Sequence, residues 1–188
     1  MKLINAEIKT NDHEIIVNDD TIKFYSTRNP KELPWGELNV DVVMECSGAF
    51  TSKELSMIHI KQGAKKVIIS APGSDADIRT VVLGVNDNSI EATDLIVSNA
   101  SCTTNNVAPM IAVLLELSEI EVGHISTVHS YTSDQRLHDA PHKDLRRARA
   151  AVNSTIPTST GAAKAIIQIF PHLKGKLTGS SVRVPVID

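Results

Sequence analysis

The chain has 188 residues, which suits one large domain or two small ones. Hydrophobic residues make up 41% and charged residues 22%, so a packed globular core is expected. A net charge of −3 without strong asymmetry argues against a nucleic-acid or membrane partner. The opening stretch MKLINAEIKTNDHE lacks the apolar core of a signal peptide, and the longest apolar run, near residues 107–115, is too short to span a bilayer. Two cysteines, Cys46 and Cys102, both in apolar sequence, are too few for a disulfide framework, so the expected setting is reducing and cytoplasmic.

The first residues are polar and carry no pattern. Glu14–Val17 and Thr21–Ser26 are short β-rich runs around Asn18-Asp19-Asp20, which predicts a hairpin. Val40–Glu45 reads as a buried strand that Ser47-Gly48 ends. Thr51 or Ser52 then caps a helix running to about Gln62, where Gly63 stops it. Lys66–Ser70, Thr80–Val85 and Asp94–Val97 are further strands. Apolar throughout, with a helix between the first two, they predict a parallel or mixed sheet covered on both faces.

After Ser101 the period changes. Val107, Met110, Ile111, Leu114 and Leu117 recur at helical spacing, widened by Ala108, Ala112 and Leu115, so a largely buried helix is expected, kinked or restarted at Pro109. Val122–Val128 reads as a strand ending at His129-Ser130-Tyr131-Thr132, and a polar, basic segment follows from Ser133 to about Asn153. Ser159 or Thr160 caps an alanine-rich helix from Gly161 to about Phe170. Ser181–Ile187 reads as an open strand before the terminus at Asp188.

Cys102 sits in SNASCTTNNVAP, between a strand-like run and a helical one. Backbone N–H groups at such a junction have no intrahelical partner, and their positive end favours a thiolate. Taken alone, Cys102 also reads as a small residue filling a tight corner. His129, at a strand end, suits a general base or acid that would pair with the thiol, or else an ordinary histidine at the end of a strand. The other six histidines have no comparable context, and no metal-ligand spacing occurs. Thr160-Gly161 and the Ser101–Thr103 junction can each receive an anion or serve as plain helix caps. Arg183, between Val182 and Val184, calls for an anionic partner if buried. The run His142–Arg149 reads as a solvated or interface face.

Together, SNASCTTN, TVHSYT, HKDLRRARAA, IPTSTGAAKA and LTGSSVRVP resemble the glyceraldehyde-3-phosphate dehydrogenases. NPKELPWGE, ECSGAFTSKE and KKVIISAP match the same family in the same order, from about Ile15 onward. The resemblance implies an α/β fold: a truncated Rossmann-type sheet in a partial NAD-binding domain, 1–101, then the first half of an α+β catalytic domain, 102–188. It implies oxidative phosphorylation of glyceraldehyde 3-phosphate to 1,3-bisphosphoglycerate, with Cys102 as nucleophile, His129 as base, and hydride transfer to NAD (NADP not excluded). Ser101, Thr103, Thr160 and Gly161 would hold inorganic phosphate. Thr132, Arg149 and Arg183 would contact the substrate, and Arg28, Ser47, Gly48, Ser70 and Ala71 would lie on the cofactor side. A homotetramer is implied for the intact family.

The chain departs from that pattern in having no G-x-G-x-x-G turn, its first glycine being Gly36, and in carrying Asn106 where a second cysteine is frequent. Both ends of the family sequence are expected to be missing, leaving an open sheet edge, a Ser181–Ile187 strand without neighbours, and poor stability and turnover. Two other readings are a catalytically impaired paralogue that docks on a homologue through residues 131–153, and erythrose-4-phosphate dehydrogenase. Ser159-Thr160-Gly161 weighs against the second.

Overall fold

The computed structural model describes residues 6–187. The polar opening Met1–Asn5 and the terminal Asp188 lie outside the described residues. Three sheets organise the rest. A meander of β1 (Ile8–Thr10), β2 (Glu14–Val17) and β3 (Asp20–Lys23) is antiparallel throughout. The expected hairpin forms because Asn18 takes the left-handed conformation (φ 54°) that a tight turn requires, and its Oδ1 accepts from the Glu7 N–H at 3.0 Å. β1 has no sequence signal, since all three of its residues are exposed.

The second sheet is wholly parallel, in the order β4 (Val42–Glu45), β5 (Lys66–Ile69), β7 (Ile96–Ser98), β6 (Arg79–Thr80). Helix α1 (Lys53–Lys61) crosses between β4 and β5, capped by Ser52, whose Oγ accepts from the Leu55 N–H at 3.2 Å. Val67, Ile69, Ile78 and Ile96 form its core, with Met57 and Ile60 of α1 packed against them. The sheet is not covered on both faces, because Val42 and Met44 on the outer side of β4 are exposed. The expected strand Thr80–Val85 shrinks to Arg79–Thr80 because Asn86 captures the backbone beyond it. Its Oδ1 accepts from the Val82 N–H (2.8 Å) and its Nδ2 donates to the Thr80 carbonyl (2.9 Å). The Asp94–Val97 strand is displaced to Ile96–Ser98, with the Asp94 carboxylate engaged instead by Arg79 and by the Glu91 N–H.

Helix α2 (Cys102–Leu117) begins five residues before the apolar run and passes through Pro109 without a restart. Only Thr104, Ala108 and Ile111 are buried, whereas Met110, Val113, Leu114 and Leu117 are exposed, so the helix is buried on one face rather than all round. The third sheet has the order β8 (Gly123–Ser130), β10 (Leu177–Val184), β9 (Ile156–Thr158), with β10 parallel to β8 and antiparallel to β9. The strand expected at Ser181–Ile187 therefore starts at Leu177, ends before Pro185 and has neighbours on both sides. β9, whose Pro157 hides its strand character, is tolerated at an edge where no ladder N–H is needed. Helix α3 (Ala162–Ile169) packs with α2 around Ala108, Ile111, Ile166 and Leu173, joined by Val82 and Ala100. Thr80 Oγ1 donates to Gln168 Oε1 at 2.8 Å, tying α3 to the parallel sheet. Among the described residues no helix is long and apolar enough to cross a membrane.

Candidate active site

The turn from β7 into α2 sets the geometry around Cys102. Ala100, almost fully buried, is held at φ 57°, a conformation that costs an alanine about 1–2 kcal/mol. Its N–H donates to Ser98 Oγ at 3.1 Å, and Asn105 Nδ2 bridges the carbonyls of Asn99 (2.7 Å) and Ser101 (3.0 Å). Ser101 caps the helix, its Oγ accepting from the Thr104 N–H at 3.1 Å and lying 2.7 Å from Thr104 Oγ1. Cys102 and Thr103 are thus the first two helical residues, whose N–H groups have no intrahelical acceptor and form the positive end of the helix.

His129, near the C-terminal end of β8, faces this helix start. Its Nε2 lies 3.2 Å from Cys102 Sγ, and its Nδ1 lies 2.8 Å from the Ser130 carbonyl. A carbonyl can only accept, so Nδ1 carries hydrogen, and in the neutral ring Nε2 is the lone pair that faces the thiol. The pair lies in a cleft of about 450 Å³ that Thr103, Asn106, Val107 and Met110 help to line. Both cysteines are exposed, contrary to the apolar surroundings expected for them.

Strand register delivers the next group. In the parallel pair β8–β10, Arg183 stands opposite His129. Arg183 Nη1 donates to Thr132 Oγ1 at 3.1 Å and reaches the Ser130 carbonyl at 3.3 Å. Its Nε is buried with no hydrogen-bond partner among the described residues, and neither contact is a carboxylate. Burial, then the nearby Arg147 charge, lowers the Arg183 pKa below the usual arginine value, with Cys102 and Asp134 acting in the opposite direction. This guanidinium is still a cation, and it is short of negative charge. Arg147, within the run expected to be a solvated or interface face, points inward. Its Nε and Nη2 reach Thr158 Oγ1 (2.8 and 2.6 Å), and Nη1 pairs with Asp134. Gln135, also missed, is buried and accepts from the Thr132 N–H at 3.3 Å, holding the turn that carries Thr132.

Ser101 and Gly161 meet in a second recess of about 200 Å³, with Lys164, Gln168, Pro72 and Gly73. Gly161 occupies the cap position of α3, while Thr160 Oγ1 accepts from the Ala162 N–H at 3.2 Å. Arg149 lies outside both spaces, exposed and paired with Asp139 at 3.2 Å. The strand ends of the parallel sheet bring Ser47 and Gly48 (after β4) alongside Ser70 and Ala71 (after β5). The Ser70 N–H donates to the Glu45 carbonyl at 3.0 Å, and the Ala71 carbonyl accepts from Ser98 Oγ at 2.8 Å. The Ser47 N–H (2.7 Å) and hydroxyl both donate to Glu45 Oε1. Arg28 is exposed, just before Asn29, the cap of the short turn Pro30–Glu32. Open ends of parallel strands are where α/β sheets bind ligands. At Gly48 (φ +72°) a Cβ would meet nothing within 4 Å, so the backbone there is open to close approach.

Comparison with known proteins fits this arrangement. Residues 101–188 match the family model "Glyceraldehyde 3-phosphate dehydrogenase, C-terminal domain", and residues 1–53 match "Glyceraldehyde 3-phosphate dehydrogenase, NAD binding domain". The chain is 56% identical over 184 residues to glyceraldehyde-3-phosphate dehydrogenase 2 of Streptomyces avermitilis, covering 97% of this chain and 55% of that protein. It is 54% identical over 183 residues to the plasmid-encoded glyceraldehyde-3-phosphate dehydrogenase of Cupriavidus necator (97% and 54%) and 50% identical over 184 residues to that of Clostridium pasteurianum (97% and 55%). The chain thus spans about 55% of the length of the curated relatives it matches.

Proposed function

The chain belongs to the glyceraldehyde-3-phosphate dehydrogenase family, and from that premise we propose that it carries the thiol–imidazole centre of a phosphorylating, NAD-dependent aldehyde dehydrogenase acting on glyceraldehyde 3-phosphate. The observation that carries this reading is the 3.2 Å contact between Cys102 Sγ and the His129 Nε2 lone pair at the start of α2. Cys102 adds to the aldehyde carbon to give a hemithioacetal, its proton passing to His129 Nε2. The N–H groups of Cys102 and Thr103 are positioned to receive the developing negative oxygen. His129 returns that proton to the oxygen to complete the hemithioacetal hydroxyl and takes it back as the carbonyl of a thioester forms with loss of hydride, its ring held by the Ser130 carbonyl. NAD, when bound, supplies the hydride acceptor for this oxidation. Inorganic phosphate attacks the thioester carbon, releasing the acyl phosphate and restoring the Cys102 sulfur.

Thr132 and Arg183 are the proposed contacts to the substrate phosphate, where the unpartnered Nε and the absence of a carboxylate favour an anion. Arg149 joins them if a phosphate competes it away from Asp139. Ser101, Thr103, Thr160 and Gly161 are assigned to inorganic phosphate. Ser47, Gly48, Ser70 and Ala71, together with Arg28, are assigned to the cofactor, which the open backbone at Gly48 suits. Residues 1–101 would form the cofactor part and 102–188 the catalytic part. The working setting is cytoplasmic and the assembly a homo-oligomer, which the exposed apolar face of α2 favours.

Two exposed thiols make the test internally controlled. At neutral pH iodoacetamide should label Cys102 several-fold faster than Cys46, and His129→Asn should erase the difference. Glyceraldehyde 3-phosphate with NAD should leave an acyl adduct on Cys102 in the intact-mass spectrum, absent in Cys102→Ser. Equal labelling of the two thiols together with no adduct would overturn the proposal.

A further inference from the structure

Glu45 and His59 are buried titratable residues, 6% and 3% exposed, and neither belongs to the Cys102 centre. Trp35 Nε1 lies 3.1 Å from His59 Nδ1, and His59 Nε2 lies 3.1 Å from Glu45 Oε2. An indole N–H only donates, so Nδ1 must hold a lone pair and the ring proton must sit on Nε2, pointing at the carboxylate. On its other oxygen Glu45 accepts from both the N–H and the hydroxyl of Ser47. Every hydrogen in this relay has one direction: Trp35 to His59, His59 to Glu45, and Ser47 to Glu45. The carboxylate is the common acceptor.

An apolar side chain of similar size is often an equal or better occupant of a buried position, so a carboxyl group kept there as the acceptor of three donors points to a demand for geometry. The geometry is that of the crevice wall. The Glu45 side chain fixes the Ser47–Gly48 turn, Ser47 Oγ in turn accepts from the Ala49 N–H at 3.1 Å, and the Glu45 carbonyl holds the Ser70 N–H at 3.0 Å. One residue thus ties together both strand-end loops assigned to the cofactor. We propose that Glu45, oriented by His59 and Trp35, is a positioning residue that holds the Ser47–Gly48 turn in the open form a nicotinamide dinucleotide requires. The assignment to a dinucleotide rests on the NAD reading above; the clamp on the turn does not.

The one-way relay makes the test specific. In Glu45→Gln the side-chain amide has one acceptor and one donor end. If the oxygen faces His59, the amide N–H₂ confronts the Ser47 donors. If it faces Ser47, the ring must change tautomer, and Nδ1–H then confronts the Trp35 N–H. Trp35→Phe removes that second conflict, so the double variant can satisfy Ser47 again. Amide exchange at Ser47, followed by NMR on the full chain, should accelerate at least about tenfold in Glu45→Gln, the size of one charge-assisted hydrogen bond. It should return in the double variant to within about threefold of Trp35→Phe alone. The NAD dissociation constant, measured by calorimetry, should follow the same order. If Glu45→Gln does not fold, Ser47→Ala replaces it; it removes the hydroxyl that donates to Glu45, so a lower melting temperature, faster exchange at the residue-47 amide and weaker NAD binding are the expected result. Unchanged Ser47 exchange in Glu45→Gln, or a double variant worse than either single one, overturns the clamp. Failure of the unsubstituted chain to bind NAD, with the exchange pattern intact, overturns the dinucleotide assignment and leaves the clamp standing.

Discussion

Gly63 ends α1 at φ +104°, and a Cβ built there would stand 2.5 Å from Gly36 Cα and 2.7 Å from Gly36 N. Gly36 is the neighbour of Trp35, and its N–H donates to the Gln62 carbonyl at 2.9 Å, so this contact anchors the loop that carries the indole. Gly63→Ala therefore has two separable costs. The left-handed backbone costs about 1–2 kcal/mol for any residue with a Cβ. The Gly36 backbone must also retreat by about 0.9 Å before the contact becomes ordinary, which strains or breaks its hydrogen bond and adds about 2–3 kcal/mol. Gly48→Ala is the control, since at φ +72° with nothing within 4 Å it bears the first cost alone. Urea unfolding of both variants should separate them by about 2–3 kcal/mol, with Gly63→Ala melting about 10 °C below the unsubstituted chain and Gly48→Ala about 4 °C below. Equal destabilisation, within about 0.5 kcal/mol, would refute the close approach of the two backbones and with it the anchoring of Trp35.

Pro109 is exposed within α2 and supplies no N–H to the Asn105 carbonyl four residues earlier. Pro109→Ala should stabilise the chain by about 2 kcal/mol in thermal melts, the helix gain less the greater freedom of the unfolded chain; no change would mean that the surroundings have already offset the missing bond. Arg79 donates to Asp94 at 2.6 Å, and this bond first, then the Glu91 N–H, holds the Asp94 carboxyl below the usual aspartate range. A lowered folded-state pKa contributes stability that is complete above the unfolded value of about 3.9 and disappears as pH falls through the folded value. Arg79→Gln should therefore have a lower urea midpoint than the unsubstituted chain at pH 6, and the gap should close as pH approaches 2. A gap that stays constant over that range would assign the effect to packing of the arginine stem.

Local signals carried much of the fold. The β4–α1–β5 unit is legible because Ser52 caps the helix and Gly63 ends it within a few residues of an apolar strand on either side. Cys102 and His129 are legible for the same reason, as ends of elements whose boundaries lie close by. Elements defined by distant partners were not. β10 looks like a strand without neighbours because its partner β8 lies 54 residues earlier in register and β9 hides behind Pro157. Asn86 shortens β6 by capturing backbone groups, and a strand pattern cannot register that competition. Among the arginines of residues 146–149, sequence cannot say which faces inward. The short helical turn Leu145–Ala148 decides it, sending Arg147 to Thr158 and leaving Arg149 with Asp139. Glu45 and His59 were missed because a histidine on a helix carries no mark of burial until Trp35 closes over it.

The two halves of the Cys102 centre differ in what holds them. Cys102 and His129 meet through adjacent elements, whereas Arg183 reaches them only through the register of two parallel strands. A slip of one residue would turn Arg183 to the opposite face of the sheet and leave His129 without a cationic neighbour. Eight consecutive residue pairs, from Leu177 opposite Gly123 to Val184 opposite Ser130, oppose such a slip. The polar side of the sheet adds a lock. His124 Nδ1 lies 2.7 Å from Thr178 Oγ1 and its Nε2 2.9 Å from Ser180 Oγ, so one ring spans two alternate residues of β10. In either tautomer one ring nitrogen donates and the other accepts, and hydroxyls can answer both, so the lock holds without a charge. An exposed histidine at the start of β8 thereby helps set which side chain of β10 arrives beside His129 at its other end.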